Sequence, residues 1–479
     1  MAVTIILVAA TLFAIAFLVT LNASPIIRFL VAIVVLIVSG HMIAGTNNIQ
    51  NSYGAYMLGS RHGIKFIADI SKSHKWFWMA LANWGTVLSF GIASYFIFKR
   101  SEISKRTILF GAASIFLILL FVFPYLPLVL SFINIPQIGS GYGSAPVSLQ
   151  NPGSALSLLK ADPLFVGLIV ISVLFGFGAA IVLLLLFGGG IILYGVATFL
   201  LSVGAHNPNY AILSQQVPGV VPVIPGITIP LFAGLIALFI LLVVHEFSHG
   251  ILAKIFGIRI KSIGVILLGI IPLGAYVEPN EKAVKRLKKG AQDRISVAGI
   301  SANMLVSIAF FVLAVLMISG VFPNIGTGGV RVTATFKNYS AYNVIIPNSI
   351  ITAWNNYTIR NSYDLARAES RYRNGSVVFI TNEGRYVLTP NSSGRIGISG
   401  AAAEPSAQFA VANFLYAIFA LSFGLNFFVA IANLLPIPMF DGWRIYENRI
   451  KNKKILRLLV VLVVASIIVN ILPWFWSFL

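Results

Sequence analysis

Apolar stretches near or above the length needed to cross bilayer hydrocarbon recur along this 479-residue chain, at about 3–21, 26–44, 77–98, 107–133, 164–204, 228–253, 297–322, 409–434 and 455–478. Lipid offers no water to backbone amides, so each such stretch must satisfy its own hydrogen bonds and is expected to be a helix. The stretch 164–204 is about twice one span, and Gly188-Gly189-Gly190 at its middle offers a place for a tight hairpin, which gives nine or ten spans in all. With 58% hydrophobic and 10% charged residues, the composition excludes a soluble globular protein, in which about 25% of residues are charged. The expected fold class is a polytopic α-helical membrane protein. The first stretch lacks a basic flank and outruns a signal-peptide core, so it reads as a retained span.

The polar residues are organised. The formal charge of +20 comes from 33 Lys and Arg against 13 acids, clustered between apolar segments without the aromatic interleaving of a nucleic-acid surface. Anionic lipid and membrane orientation account for this charge, so the bilayer is an expected partner and nucleic acid is not. Loops 254–294 and 442–457 are the basic ones and are expected in the cytoplasm. Residues 326–403 then fall outside, and this polar stretch carries sequons at Asn338, Asn356, Asn374 and Asn391. It reads as a small α+β module. Strands are expected at 350–354 and in a hairpin of 376–380 and 385–389, with a turn at Asn355-Asn356 and a short helix capped at Asn361-Ser362. Residues 45–76 suit a surface-lying amphipathic helix or a loop, and 136–163 and 205–227 read as loops.

Chemistry concentrates in one span. His245-Glu246-Phe247-Ser248-His249 lies near the end of the apolar segment Ile229 to Ile255, where ionisable groups are costly and so mark function. Residues four apart share a helix face, so both imidazoles can reach one metal ion while Glu246 meets a water beside it. The chain has no cysteine, which excludes disulfides and leaves nitrogen and oxygen as metal ligands. A catalytic zinc takes a third protein ligand, and Asp441 offers it in Asn433-Leu-Leu-Pro436-Ile-Pro438-Met-Phe-Asp441-Gly442, where two prolines break the preceding helix. The competing reading has the histidines bonded within a helix bundle and Asp441 capping a surface helix.

With these two motifs the chain resembles the site-2 protease family of intramembrane zinc metalloproteases (peptidase family M50), in particular prokaryotic-type members with a PDZ-like insert. A third family feature, G-x-x-x-N, appears as Gly299-Ile-Ser-Ala-Asn303, and Ile271 to Pro279 looks like the glycine-containing β-loop that follows HExxH. The resemblance covers roughly 205–478. It implies one catalytic Zn2+ on His245, His249 and Asp441, Glu246 as general base, and transmembrane proteins as substrates. It suggests Asn303, Asn433 and Gly274 as groups that hold a substrate strand or its oxyanion. The implied organisation is an accessory transmembrane region at 1–204, a first core half at 205–325, a PDZ-like insert at 326–403 and a second core half at 404–479. In the insert, Asn348-Ser349 replaces the Gly-Asp usual before the strand. Rival readings are a prenyl-protein peptidase, a catalytically silent scaffold with a structural metal, and a metal transporter.

Overall fold

The computed structural model describes the chain apart from Met1, 22–24, Gln50, Ser60, Arg100, 123–124, 126–162, Gln215, 372–374, 392–395, Pro405, Met439 and 477–479. The loop expected at 136–163 lies outside the described residues except for Pro163, as does the sequon asparagine Asn374.

Among the described residues seven helical segments are long and apolar enough to cross a membrane: Lys75–Ile97, Lys105–Val122, Pro163–Gly204, Leu231–Ile255, Lys289–Asn324, Ala407–Ala432 and Lys453–Phe475. The protein is a polytopic helical membrane protein. Two further apolar helices, α1 (Ala2–Thr20) and α2 (Pro25–Thr46), precede them and pack on each other. Large apolar side chains such as Phe187, Leu201, Phe232 and Val461 stay exposed on the outer helix faces, which suits a lipid solvent.

Residues 45–76 resolve into two strands, β1 (Asn51–Ser52) and β2 (Ala55–Gly59), followed by the amphipathic helix α3 (Arg61–Ser73). The membrane helices then follow as α4 (Lys75–Phe90), α5 (Lys105–Leu117) and α6 (Pro163–Gly204). The hairpin expected at Gly188-Gly189-Gly190 is not there. Those glycines sit inside α6, where Gly188 and Gly189 face Asn470 and Ser466 and let two helices approach. The backbone instead breaks at Gly176, with φ 80° and ψ 175°. A side chain at Gly176 would collide with the backbone of Ser89 and Phe90, so both the left-handed φ and the close crossing require glycine. On one side of the break Phe165 and Ile169 pack with Ile115, Ile118 and Val122; on the other Leu185 packs with Leu435 and Val463.

The centre of the molecule is formed by α7 (Leu231–Ile255), α8 (Lys289–Leu316) and α10 (Ala407–Ala432), each against the other two, with α4 on the far side of α8. Between α7 and α8 runs the antiparallel hairpin β3 (Ile260–Leu268) and β4 (Ile271–Pro279). The N-terminal strand β2 joins β3 antiparallel, from Ala55 opposite Leu268 to Gly59 opposite Gly264. The sheet order is β1-β2-β3-β4, so β4 is its long open edge, and the accessory region supplies half of the strands.

After α8 comes the polar module: β5 (Val330–Thr335), β6 (Ile350–Trp354), β7 (Tyr357–Thr358), α9 (Ser362–Ser370), β8 (Val377–Thr381), β9 (Gly384–Leu388) and β10 (Ile398–Ala402). Its sheet runs β10-β5-β6-β8-β9, with β7 on β6. The expected elements are present: β8 and β9 pair from Val377 opposite Leu388 to Thr381 opposite Gly384, Asn355 turns the chain at φ 49°, and Asn361 Oδ1 accepts from Tyr363 N and Asp364 N to cap α9. The chain finishes with α11 (Asp441–Arg449) and α12 (Lys453–Trp476).

A candidate metal centre

An α-helix through 231–255 places His245 and His249 one turn apart on one face, and their rings meet edge to face with centroids 4.8 Å apart. Asp441 arrives from a distant part of the chain. Helix α10 ends at Ala432, the prolines prevent its continuation, and the loop folds back so that Gly442 N donates to Asn433 O at 2.8 Å. A Cβ on Gly442 would sit 2.8 Å from that carbonyl oxygen, so the close return needs glycine. Asp441, the first residue of α11, is thereby brought to the histidines. Its Oδ2 lies 2.9 Å from His245 Nε2 and 3.1 Å from His249 Nε2. One atom from each of the three residues lies within 4.8 Å of the others, and His245 is buried. This is the only such group of three or more among the described residues.

Whether this set suits a metal can be asked of its outer contacts. A neutral imidazole that offers Nε2 to a cation carries its proton on Nδ1, and that proton needs an acceptor. His249 Nδ1 donates to the Ile295 carbonyl at 2.7 Å. His245 Nδ1 lies 3.1 Å from the Asn303 side-chain amide, whose Oδ1 is buried with no hydrogen-bond partner. A half-turn of that amide places the orphaned Oδ1 on Nδ1–H and satisfies both groups. Both Nε2 lone pairs then face Asp441. The residues fit a divalent cation that accepts nitrogen and carboxylate ligands, as zinc does.

Helix α8 is shaped to the histidines. A Cβ on Gly299 would fall 2.5 Å from His245 Cε1 and 2.6 Å from His249 Nε2. The spacing G-x-x-x-N is therefore a fitted surface: Gly299 leaves room for both rings, and Asn303 one turn later meets one of them. Sequence spacing alone made this the weakest motif. Glu246, half-buried beside the histidines, accepts from Val277 N at 3.3 Å. That bond ties its carboxylate to β4.

The three residues suggested as substrate contacts lie in different settings. Asn303 is fully buried behind His245 and positions that ring. Asn433 turns its side-chain amide back to the Val429 carbonyl at 3.0 Å and uses its own carbonyl to close the loop on Gly442. Gly274 lies in β4 opposite Ile266.

Residues 233–474 match the family profile of Peptidase family M50, about half of the chain, from inside α7 to inside α12. The chain belongs to peptidase family M50. Peptidases of the M50 family are zinc-dependent metalloproteases. The matched span contains His245, Glu246, His249, Asp441 and the module between α8 and α10. The M50 chain is also 29% identical over 237 residues to an uncharacterized protein of Methanocaldococcus jannaschii, a match that covers 48% of this chain and 61% of the relative.

Proposed function

We propose that this M50 protein is an intramembrane zinc metalloendopeptidase of the site-2 type, which hydrolyses peptide bonds within or near the spans of membrane-protein substrates in regulated intramembrane proteolysis. The observation that carries the reading is the convergence of His245, His249 and Asp441, with Glu246 next to them. A zinc ion held by the three ligands supplies Lewis-acid activation of water and of the scissile carbonyl. Glu246 takes a proton from the attacking water as its oxygen bonds to the carbonyl carbon, then gives that proton to the amine nitrogen as the C–N bond breaks. Asn303 and Ile295 hold the imidazoles in the tautomer that leaves Nε2 free. A substrate helix must unwind before cleavage, because lipid cannot replace its backbone hydrogen bonds. The open edge of β4, with Gly274 in it and Glu246 beside it, suits the extended strand that results.

The basic loops favour a cell-membrane topology with 254–294 and 442–457 in the cytoplasm and 326–403 outside. In that topology 326–403 is a PDZ-like insert between the two core halves, 205–325 and 404–479. The test is cleavage of a single-span substrate in detergent by the wild type and by Glu246→Gln, with bound zinc measured in both. Retained zinc with a loss of cleavage of about 10²–10⁴-fold supports the proposal. Equal cleavage by both proteins refutes the role of Glu246. Zinc in both with no cleavage of several substrates returns the scaffold reading.

A further inference from the structure

Arg449 ends the short helix that Asp441 begins, about 12 Å along its axis. Its guanidinium is nearly buried, and its donors are spoken for on three sides. Nε donates to Asp293 Oδ2 at 3.0 Å and Nη2 to the same oxygen, while Nη2 also reaches Glu102 Oε2 at 3.3 Å and Nη1 the Ile97 carbonyl at 3.3 Å. The cation lies over the Phe98 ring, 4.5 Å from its centroid. Neighbouring groups complete the cluster. Asn448 Nδ2 donates to Asp293 Oδ1 at 3.0 Å, Lys289 Nζ to the Asn448 carbonyl at 2.8 Å, and Arg294 joins Asn83 Oδ1 at 2.8 Å and the Glu102 carbonyl. Arg449 is thus ion-paired with two acids, Asp293 and Glu102, and the Asp293 side chain is 2% exposed.

Buried ion clusters are a poor source of stability, since apolar side chains of like size hold a fold as well or better, but directional bonds fix geometry. What this cluster fixes is specific. Asp293 is in the first turns of α8, the helix that also presents Ile295 to His249, Gly299 to both rings and Asn303 to His245. Glu102, Ile97 and Phe98 belong to the accessory region, for which sequence offers no task.

We infer that Arg449, held by Asp293 and by Ile97, Phe98 and Glu102, is a positioning residue for Asp441: it bolts α11 to the same helix that seats both histidines, and so sets the carboxylate against their Nε2 atoms. The inference rests on the metal-site reading above. It gives the accessory region a part in the site without any contact to it.

The experiment uses the full-length protein in detergent. Zinc content, zinc affinity by competition with a chelator, the visible spectrum of the cobalt-substituted protein and the melting temperature of the metal-free form are measured for wild type, Arg449→Met, Arg449→Lys and Glu102→Gln. Wild type is expected to hold one zinc. Arg449→Met is expected to bind it about 10–100-fold more weakly with altered cobalt bands, and the two milder variants to lose less, in proportion to the bonds they keep. Wild-type affinity and cobalt bands in Arg449→Met overturn the inference, as does a fall in metal-free melting temperature with affinity unchanged, which marks a structural role alone. Should Arg449→Met fail to fold, the other two variants decide by the same criteria. A wild type that holds no metal defeats the metal-site reading itself, a result separable from every variant's.

Discussion

The module of residues 330–402 and the cluster at His245 both need side chains held in fixed places, and they achieve it by opposite routes. In the module, tight turns join β6 to β7 and β8 to β9, and Trp354, Val377, Phe379 and Leu388 from these neighbouring segments share one core that β10 completes by pairing back on β5. In the membrane part the two histidines come from α7 and Asp441 from the start of α11, 192 residues after His249, and a third element, α8, shapes the space between them. A local fold tolerates change one element at a time. A site assembled from three distant elements fails wherever one of them moves. The two regions meet at a narrow joint, where Asn361 Nδ2 donates to Ile325 O at 2.9 Å and Phe322 stacks on Tyr363.

That contrast can be broken by substitutions chosen on each side. Gly299→Val should have the largest effect, since a side chain there occupies the space of both imidazoles; zinc binding and cleavage are expected to vanish while the module keeps its resistance to limited proteolysis. Bound zinc in that variant would show that α8 does not shape the site. On the other side, Trp354→Ala should destabilise the module by about 3–5 kcal/mol, read as faster hydrogen exchange at 377–388, with zinc content unchanged. Loss of zinc in this variant would show that the two regions are not independent. Asn303→Ala sharpens the account of the histidine tautomer, with zinc expected to bind about 10–100-fold more weakly and the protein still folded.

The smallest effect belongs to the ion pair of Arg360 and Asp364 in the module, 2.8 Å apart. Burial pushes the Asp364 carboxyl up, but the Arg360 guanidinium and backbone N–H more than offset this and hold it below the usual carboxylate range. Its contribution is therefore complete above the unfolded value of about 4 and fades as pH falls through the lowered folded value. Asp364→Asn should cost the module about 0.5 kcal/mol at neutral pH and nothing at pH 2, measured by exchange at the same strands. An equal cost at both values would remove the charge from the explanation.

The module was legible because its signals are local: Asn382-Glu383-Gly384 between two β-branched runs, and Asn361 before a short helix. The histidines and Asp441 were legible because ionisable groups and paired prolines are expensive at membrane depth and stand out there. What sequence hid depends on distance. Nothing in 55–59 announces that it will pair with 264–268, because a lone short strand has no partner to point to until the chain is folded. Gly188-Gly189-Gly190 read as a turn because glycine permits one, yet the same lack of a side chain lets a helix pass close to Ser466 and Asn470, and only the neighbour decides which use prevails. Arg449 looked like one more basic residue of a cytoplasmic loop, and its acidic partners lie 156 and 347 positions away.

If a substrate strand pairs with β4 as proposed, the bond from Val277 N to Glu246 makes β4 a ruler with a fixed origin. A strand advances about 3.3 Å per residue and alternates its faces, so a chain laid along β4 and slipped by one residue presents the opposite side chains, while a slip of two restores them. Cleavage of a substrate scanned through successive positions should then favour sites two residues apart, and evenly spread cuts would show that the ruler is not read.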